Sequence, residues 1–236
     1  MTARNLAVWS YAILTACSSG MSGAIGGDAS RPEPVPDDTS ASADSLFREL
    51  EERLLESASL RMRYTIAAEG ALSASLGGNL DLAEESRVTL DAEGTFDNSP
   101  VALHLRSDGR EMRGGSEVDT FANDAPQGLR EALIIGLTRM GLLHTLARLT
   151  AGAPPDHAEG GVREWVQVED IRDTPKRSGA DTNFRVLRFS ILVNGERSGE
   201  ASLWMDRQSG LPVRREQNVD FPTGVMRVVE EYGFLP

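Results

Sequence analysis

The sequence predicts an α+β domain in which antiparallel strands form a sheet and two helical regions pack against it. Three observations lead to this prediction. An amphipathic helical pattern comes first in the folded part, and short runs with a period of two follow it. An apolar helical segment then interrupts those runs near the middle of the chain.

The chain begins with a short apolar leader that ends at its single cysteine. Arg4 supplies a positive charge, and an apolar run from Leu6 to Ala16 leads to Cys17. The run is much shorter than the roughly 20 residues of a helical membrane span, so residues 1–16 are predicted to be a signal peptide. The ending Leu14-Thr15-Ala16-Cys17 resembles the bacterial lipobox, which implies cleavage before Cys17 and acylation of its thiol. The alternative is an ordinary secreted protein with a cysteine in its leader.

Residues 17–43 are predicted to be the lipidated cysteine and a disordered tether. Ser, Gly, Ala, Pro and Asp dominate this stretch, and it contains too few large apolar residues to offset the entropy cost of ordering. Ser18 and Ser19 follow the cysteine, and in the lipoproteins that this leader resembles a serine there goes with outer-membrane delivery. We therefore expect a lipid-anchored protein of the cell envelope, in the outer membrane and facing the periplasm.

The charge and the cysteine count exclude several kinds of partner. The formal net charge is −12, which disfavours nucleic acid and a polybasic contact with anionic lipids. With one cysteine, the domain has neither a disulfide nor a thiolate zinc site. We expect no cofactor, no metal and no nucleic-acid partner, and we expect a monomer that contacts the membrane through acylated Cys17.

The folded domain is predicted to extend over residues 44–236 and to begin with a helix at about residues 45–57. Asp44 or Ser45 is placed to cap its first turn. The apolar residues at helical spacing are Leu46, Phe47, Leu50, Leu54 and Leu55.

Short strands with one apolar face are predicted after this helix. Turn residues rich in Gly, Asn and Asp separate the runs, as in an antiparallel meander. The alternating apolar residues are Leu60, Met62, Tyr64, Ile66, Leu80, Leu82, Val88, Leu90, Val101, Leu103 and Leu105.

An apolar helical segment between Asp124 and Gly152 interrupts the strands. Gly136 and Gly141 weaken its middle, so a kinked helix or a helical hairpin is predicted. The segment is more apolar than a surface helix needs to be, so we expect it to fill a cavity or to cover one. Its main stripe consists of Leu129, Leu133, Leu137 and Met140, and Leu146 widens it.

The strand pattern resumes after the insert. Asn194-Gly195 is the strongest hairpin signal, because both residues tolerate the positive φ of a type I′ turn. Trp204 is out of phase with Leu203 and Met205, so we expect it to pack outside the core. The predicted strands cover residues 164–171, 187–193, 201–206, 213–221 and 225–232.

The segment Ala201–Arg214, ASLWMDRQSGLPVR, is similar to a hairpin of the LolA/LolB-like family of bacterial envelope lipid carriers. The order of elements over residues 45–236 also resembles that family. The resemblance implies an unclosed antiparallel β-barrel with an N-terminal helix and an inserted helical lid over an apolar cavity. No arginine in the sequence matches the lid arginine of the family.

We expect the cavity to bind a lipid or an acylated ligand, because such sites are concave and mostly apolar. The protein would then be a carrier or chaperone for lipids or lipoproteins. In the alternative function, the same residues complete a core, and the protein is a lipoprotein scaffold or sensor that binds another envelope protein. The predicted cavity and lid residues are Leu103, Leu129, Leu133, Leu137, Met140, Leu146, Phe189 and Leu203.

Catalysis finds little support, and we predict no enzymatic activity and no catalytic residues. His104, His144 and His157 lack ligand spacing, and neither a Gly-x-Ser-x-Gly elbow nor a phosphate-binding glycine loop occurs. Glu84-Glu85 and Glu230-Glu231 are predicted to be solvated charges and not acid/base dyads.

Overall fold

A computed structural model of the chain describes residues 38–155, 161–173 and 183–236. Eleven strands in this part form one sheet. They are β1 (Leu60–Gly70), β2 (Ala74–Leu82), β3 (Arg87–Phe96), β4 (Ser99–Asp108), β5 (Glu111–Ser116), β6 (Thr120–Asp124), β7 (Val166–Asp173), β8 (Phe184–Val193), β9 (Glu196–Asp206), β10 (Pro212–Phe221) and β11 (Gly224–Leu235).

The sheet is antiparallel throughout and does not close. Its strand order is β6-β5-β4-β3-β2-β1-β11-β10-β9-β8-β7, so β6 and β7 lie at opposite edges. Two meanders, β1–β6 and β7–β11, join where β1 pairs with β11 in a register that sets Tyr64 opposite Tyr232. The predicted α+β class and unclosed antiparallel barrel are confirmed.

Side chains of the strands alternate between a buried concave face and an exposed convex face. In β1, for example, Leu60, Met62, Tyr64 and Ile66 are buried, while the residues between them are exposed. This alternation follows the period of two that the sequence shows. Strands β5 and β6 were not predicted, because Gly114-Gly115 and the polar run of β6 do not alternate.

The N-terminal helix, α1 (Asp38–Glu56), begins seven residues before the predicted start at residue 45. The expected cap at Asp44 or Ser45 is therefore wrong, since both residues lie inside the helix. Ala43 is fully buried and extends the apolar face of α1 toward its N-terminus. A small residue such as alanine contributes little to an apolar pattern. The sequence pattern therefore did not indicate the first turns of α1.

The insert joins the two edge strands of the sheet. It comprises α2 (Leu129–Ile135), a π-helical turn (Gly136–Met140), α3 (Leu143–Thr150) and the short α4 (Val162–Trp165). The predicted break occurs at Gly141, whose φ of 87° and ψ of 172° end the π-helical turn, whereas Gly136 keeps helical angles. α3 contacts β4 and β5, and α1 contacts β7, so the helices cover the concave face.

No single helix in the described ranges has the length and hydropathy of a membrane span. One pair, Leu129–Met140 with Leu143–Thr150, meets those limits when the two are taken together, but the chain bends by 119° between them.

Two predicted details of the C-terminal meander are confirmed. Asn194 and Gly195 have positive φ angles of 53° and 78° between β8 and β9, as a type I′ turn requires. Trp204 lies on the opposite face from the buried Leu203, and the Arg214 guanidinium sits 5.7 Å from the centre of its ring.

Candidate functional site

The structure brings the eight predicted cavity and lid residues into one apolar cluster on the concave face. Seven of them are at most 3% exposed, and Met140 is partly buried against the others. Phe189 of β8 also meets Phe47 of α1, with ring centres 5.1 Å apart and an edge-to-face arrangement. Side chains of the insert and of α1 therefore share one cluster with side chains of the strands.

The concave face changes from apolar to polar on β10 and β11. Arg215 and Glu230 are directly opposite in the register of these strands, and both are fully buried. Gln217 and Tyr232 flank them and are 6% exposed. Buried charges need partners, so the contacts of this group determine what it does.

Glu230 binds the beginning of α3. Its Oε1 accepts hydrogen bonds from the amides of Leu142 (2.9 Å) and Leu143 (3.0 Å), and the Tyr232 hydroxyl donates to its Oε2. The first amides of a helix lack partners within the helix, and the helix dipole is positive there. A sheet carboxylate thus supplies the N-terminal cap that α3 lacks in its own sequence.

Arg215 binds the other side of the same break. Its Nη2 donates to the carbonyl of Arg139 at 2.6 Å, near the end of the π-helical turn, and its Nη1 donates to Gln217. Burial lowers the pKa of Arg215, and the nearby Glu230 carboxylate opposes that effect. A cation near the carbonyl end of a helix complements the negative end of the dipole.

Gly141 makes room for this pair. A Cβ at this residue would lie 2.6 Å from Glu230 Oε1 and 2.9 Å from Arg215 Nη1. The backbone conformation of Gly141 is also one that residues with a side chain rarely adopt. The position of the insert on the sheet therefore depends on a glycine at residue 141.

Two tyrosines border the polar group. Burial raises the pKa of Tyr64, and the charges of Asp91 and Glu230 raise it further. Burial also raises the pKa of Tyr232 well above its ordinary value, with Glu230 adding to the effect and Arg215 opposing it. Both hydroxyls therefore stay protonated and act as donors, Tyr64 to the carbonyl of Asp91 at 2.8 Å.

A second ionic link joins the insert to α1. Glu51, 3% exposed, accepts two hydrogen bonds from Arg139, at 2.8 Å from Nε and 2.7 Å from Nη2. Thr138 donates to the same carboxylate at 2.8 Å, and Arg139 also donates to the carbonyl of Val166 at 2.8 Å. The π-helical turn is thus tied to α1 and to edge strand β7 at once.

Arg130 of α2 adds a third link at the C-terminal end of α1. It donates to the carbonyls of Leu55 (2.6 Å) and Leu54 (3.2 Å), and also to that of Ser57. The three links place charged contacts around residues 129–150 of the insert, while the apolar side chains of these residues face the sheet.

Sequence reasoning missed this polar site. The expectation that Glu230-Glu231 is solvated is wrong for Glu230, which is fully buried, whereas Glu231 is exposed. Arg215 lies on the sheet and holds the insert. The residues next to it in the sequence do not indicate that role. The available signal was phase, because Glu230 follows Met226 and Val228 at a spacing of two on the inward face.

Other predicted features lie elsewhere or outside the described residues. Cys17 and His157 fall outside them. Within the described ranges, no three His, Cys, Asp or Glu side chains are close enough together to hold a metal ion.

No family model matches the sequence, and no curated protein matches it either. Solved structures similar to this chain include LprF from Mycobacterium bovis, with 10% identity, a TM-score of 0.42 and coverage of 83% of this chain and 93% of that one. The LolA superfamily protein NE2245 from Nitrosomonas europaea has 11% identity, a TM-score of 0.33 and coverage of 81% and 91%. MucB has 13% identity, a TM-score of 0.37 and coverage of 82% and 57%. These similarities concern the fold alone.

Proposed function

We propose that this protein is an envelope lipoprotein that binds an acyl chain on the concave face of its sheet when the insert moves away. The observation that carries the proposal is how the insert is held. Its apolar side chains fill the concave face, whereas its polar links run through three buried charged residues, Arg215, Glu230 and Glu51, and the partly buried Arg139.

An acyl chain can take the place of the insert at a modest cost in free energy. The hydrophobic effect is non-directional, so acyl methylenes cover the concave face as well as leucine side chains do. The displaced side chains of the insert become exposed to water, while the acyl chain becomes buried in their place. The exchange then depends on how strongly the polar links hold the insert.

Those links are suited to a movable element. A buried ion pair contributes little net stability, because desolvation offsets most of its attraction. The π-helical turn between α2 and Gly141 is a rare conformation that is frequent at functional sites. Both features favour an insert that moves away from the concave face while the sheet stays folded.

The proposed binding site consists of the eight predicted cavity and lid residues, and the ligand is a lipid or an acylated protein. The likeness of residues 201–214 to a hairpin of lipid carriers supports a carrier or chaperone role without catalysis. The resemblance of residues 14–17 to the lipobox supports an anchor at Cys17, and Ser18 and Ser19 after it support a place in the outer membrane, facing the periplasm. The monomeric state belongs to the same proposal.

A second candidate is a lipoprotein scaffold or sensor that binds another envelope protein. The close packing of insert and strand side chains on the concave face favours it, because a filled interior needs no ligand. In that case the insert stays bound to the concave face at all times.

Hydrogen exchange with and without an acyl ligand distinguishes the two. On addition of a long-chain fatty acid, we expect the amides of residues 129–150 to lose protection while those of β9–β11 keep theirs. A short-chain acid with the same carboxylate is the control and should change nothing. Unchanged exchange in the insert with the long-chain acid would contradict the carrier proposal and favour the scaffold.

A further inference from the structure

A groove of about 700 Å³ crosses the convex face of the C-terminal meander, on β7 to β11. Its lining includes residues out of phase with the buried ones, among them Arg188, Ser202 and Asn218. It therefore lies on the opposite side of the sheet from the insert. Its lining shares one residue, Phe189, with the proposed acyl-binding site.

Two arginines in this groove are direct neighbours. Arg172 of β7 is opposite Arg188 of β8 in the strand register, and both side chains are exposed. Like charges directly opposite on a sheet repel each other and lower stability. Across the described ranges, neither side chain has a hydrogen-bond or ion-pair partner. Such a pair is unexpected in a chain with a formal charge of −12.

The acidic residues of the groove do not neutralise this pair, since most are bound to other arginines. Glu216 pairs with Arg214 and with Arg227, Glu200 pairs with Arg197, and Asp173 pairs with Arg185 at 3.1 Å. Asp170 lies at the irregular point of β7, with a φ of 53°, outside the regular ladder that contains Arg172. Four arginines and four acidic residues line the groove, and within the described ranges Arg172 and Arg188 are the two of these arginines without a bound carboxylate.

We propose that Arg172 and Arg188 form a binding site for a phosphate group. Each guanidinium presents a planar fork of donors that matches phosphate oxygens. A phosphate monoester carries about −1.5 to −2 charges at neutral pH, enough to balance both arginines, whereas a carboxylate balances only one. The hydroxyls of Ser190 and Ser202 lie in the same groove as further donors. The site is independent of the acyl-binding proposal.

Thermal unfolding of the purified protein in inorganic phosphate, against sodium chloride of equal ionic strength, tests the site. We expect phosphate to raise the Tm of the wild type. Arg172→Gln and Arg188→Gln should abolish that rise. Arg63→Gln is the matched control, because Arg63 is an exposed arginine of β1 with no ion-pair partner among the described residues, and it should keep the full rise.

The variants also separate a ligand site from a structural role. Without phosphate, Arg172→Gln and Arg188→Gln should unfold at a higher temperature than the wild type, because the repulsion is gone. A lower Tm for both would overturn the proposal, as would an equal response to phosphate in all four proteins.

A second measurement identifies the source of the phosphate. Vesicles of phosphatidic acid in phosphatidylcholine, compared with pure phosphatidylcholine, report a lipid headgroup, and glycerol phosphate reports a soluble ester. Binding to either source should weaken roughly tenfold in Arg188→Gln and remain unchanged in Arg63→Gln. Binding of polyglutamate without any response to the two phosphate probes would assign the groove to acidic peptides and overturn the proposal.

Discussion

Arg215 and Glu230 lie opposite each other on β10 and β11, and they contact the two sides of a single break in the insert. Arg215 donates to the carbonyl of Arg139 before the break, and Glu230 accepts from the amide of Leu142 after it. Each charge complements the helix end that it meets. The position of the insert on the sheet therefore depends on one cross-strand pair.

Gly141→Ala should lower the free energy of unfolding by about 1–3 kcal/mol, because its φ of 87° and ψ of 172° suit glycine alone. The new methyl group would also press on Glu230 and Arg215. Chemical denaturation measures the change. Gly136→Ala is the matched control, since Gly136 is helical and its Cβ would have no neighbour within 4 Å. It should stabilise the protein by about 0.5–1 kcal/mol. Equal effects of both changes would contradict this account of the break.

Glu230→Gln should destabilise the protein by about 3–5 kcal/mol, because it leaves Arg215 buried without an opposite charge. It also weakens the cap of α3. Glu231→Gln changes the neighbouring residue, whose ion pair with Arg214 at 3.1 Å is exposed, and it should cost less than about 1 kcal/mol. Urea unfolding of both variants checks the difference. A cost for Glu231→Gln as large as that for Glu230→Gln would show that burial does not matter here.

Glu51 and Arg139 should show strong coupling in a double-mutant cycle. Arg139→Leu alone leaves the buried Glu51 carboxylate with Thr138 and, at 4.0 Å, Arg163 as its remaining partners, at a cost of about 3 kcal/mol. Adding Glu51→Leu removes this poorly compensated charge and should recover much of that loss. Denaturation of the two single variants and the double variant gives the coupling energy. Purely additive effects would mean that the contact between α1 and the π-helical turn contributes little.

The protein should lose stability above about pH 10, where tyrosines ionise in an unfolded chain. Burial raises the pKa of Tyr64 and Tyr232, so the folded state holds both protons while the unfolded state releases them. Their contribution is fully present below the unfolded pKa and is lost as pH rises toward the folded one. Unfolding free energies at about pH 9 and about pH 11 measure the slope. Tyr232→Phe should make the slope shallower, and an unchanged slope would show that Tyr232 titrates normally when folded.

The sequence predicted those parts of the fold that depend on neighbouring residues alone. These are the side of the sheet to which a strand residue points and the residue types of a turn. The alternation of β1, the hairpin at Asn194-Gly195 and the break at Gly141 all follow from residue types at short range. The early start of α1 was missed because Ala43, although fully buried, is too small to mark an apolar face.

The polar site could not be predicted in the same way. Arg215 and Glu230 are buried because β10 pairs with β11 and because the insert then covers both residues. Neither condition is visible in the neighbouring sequence. The spacing of Glu230 from Met226 and Val228 indicates the inward face, but it does not show what binds the carboxylate. Arg130 and Leu55 likewise meet across 75 positions of the chain. The apolar cluster was predictable as a group, since each member lies on an apolar stripe.

Acyl-chain binding on the concave face is the central claim, and native mass spectrometry tests it most directly. Residues 18–236, which lack Cys17, would be purified without detergent and weighed before and after extraction with organic solvent. We predict an adduct with the mass of a lipid that disappears on extraction and returns when lipid is added back. A protein that has only its own mass, and that takes up no phospholipid or acylated peptide on incubation, would contradict the claim.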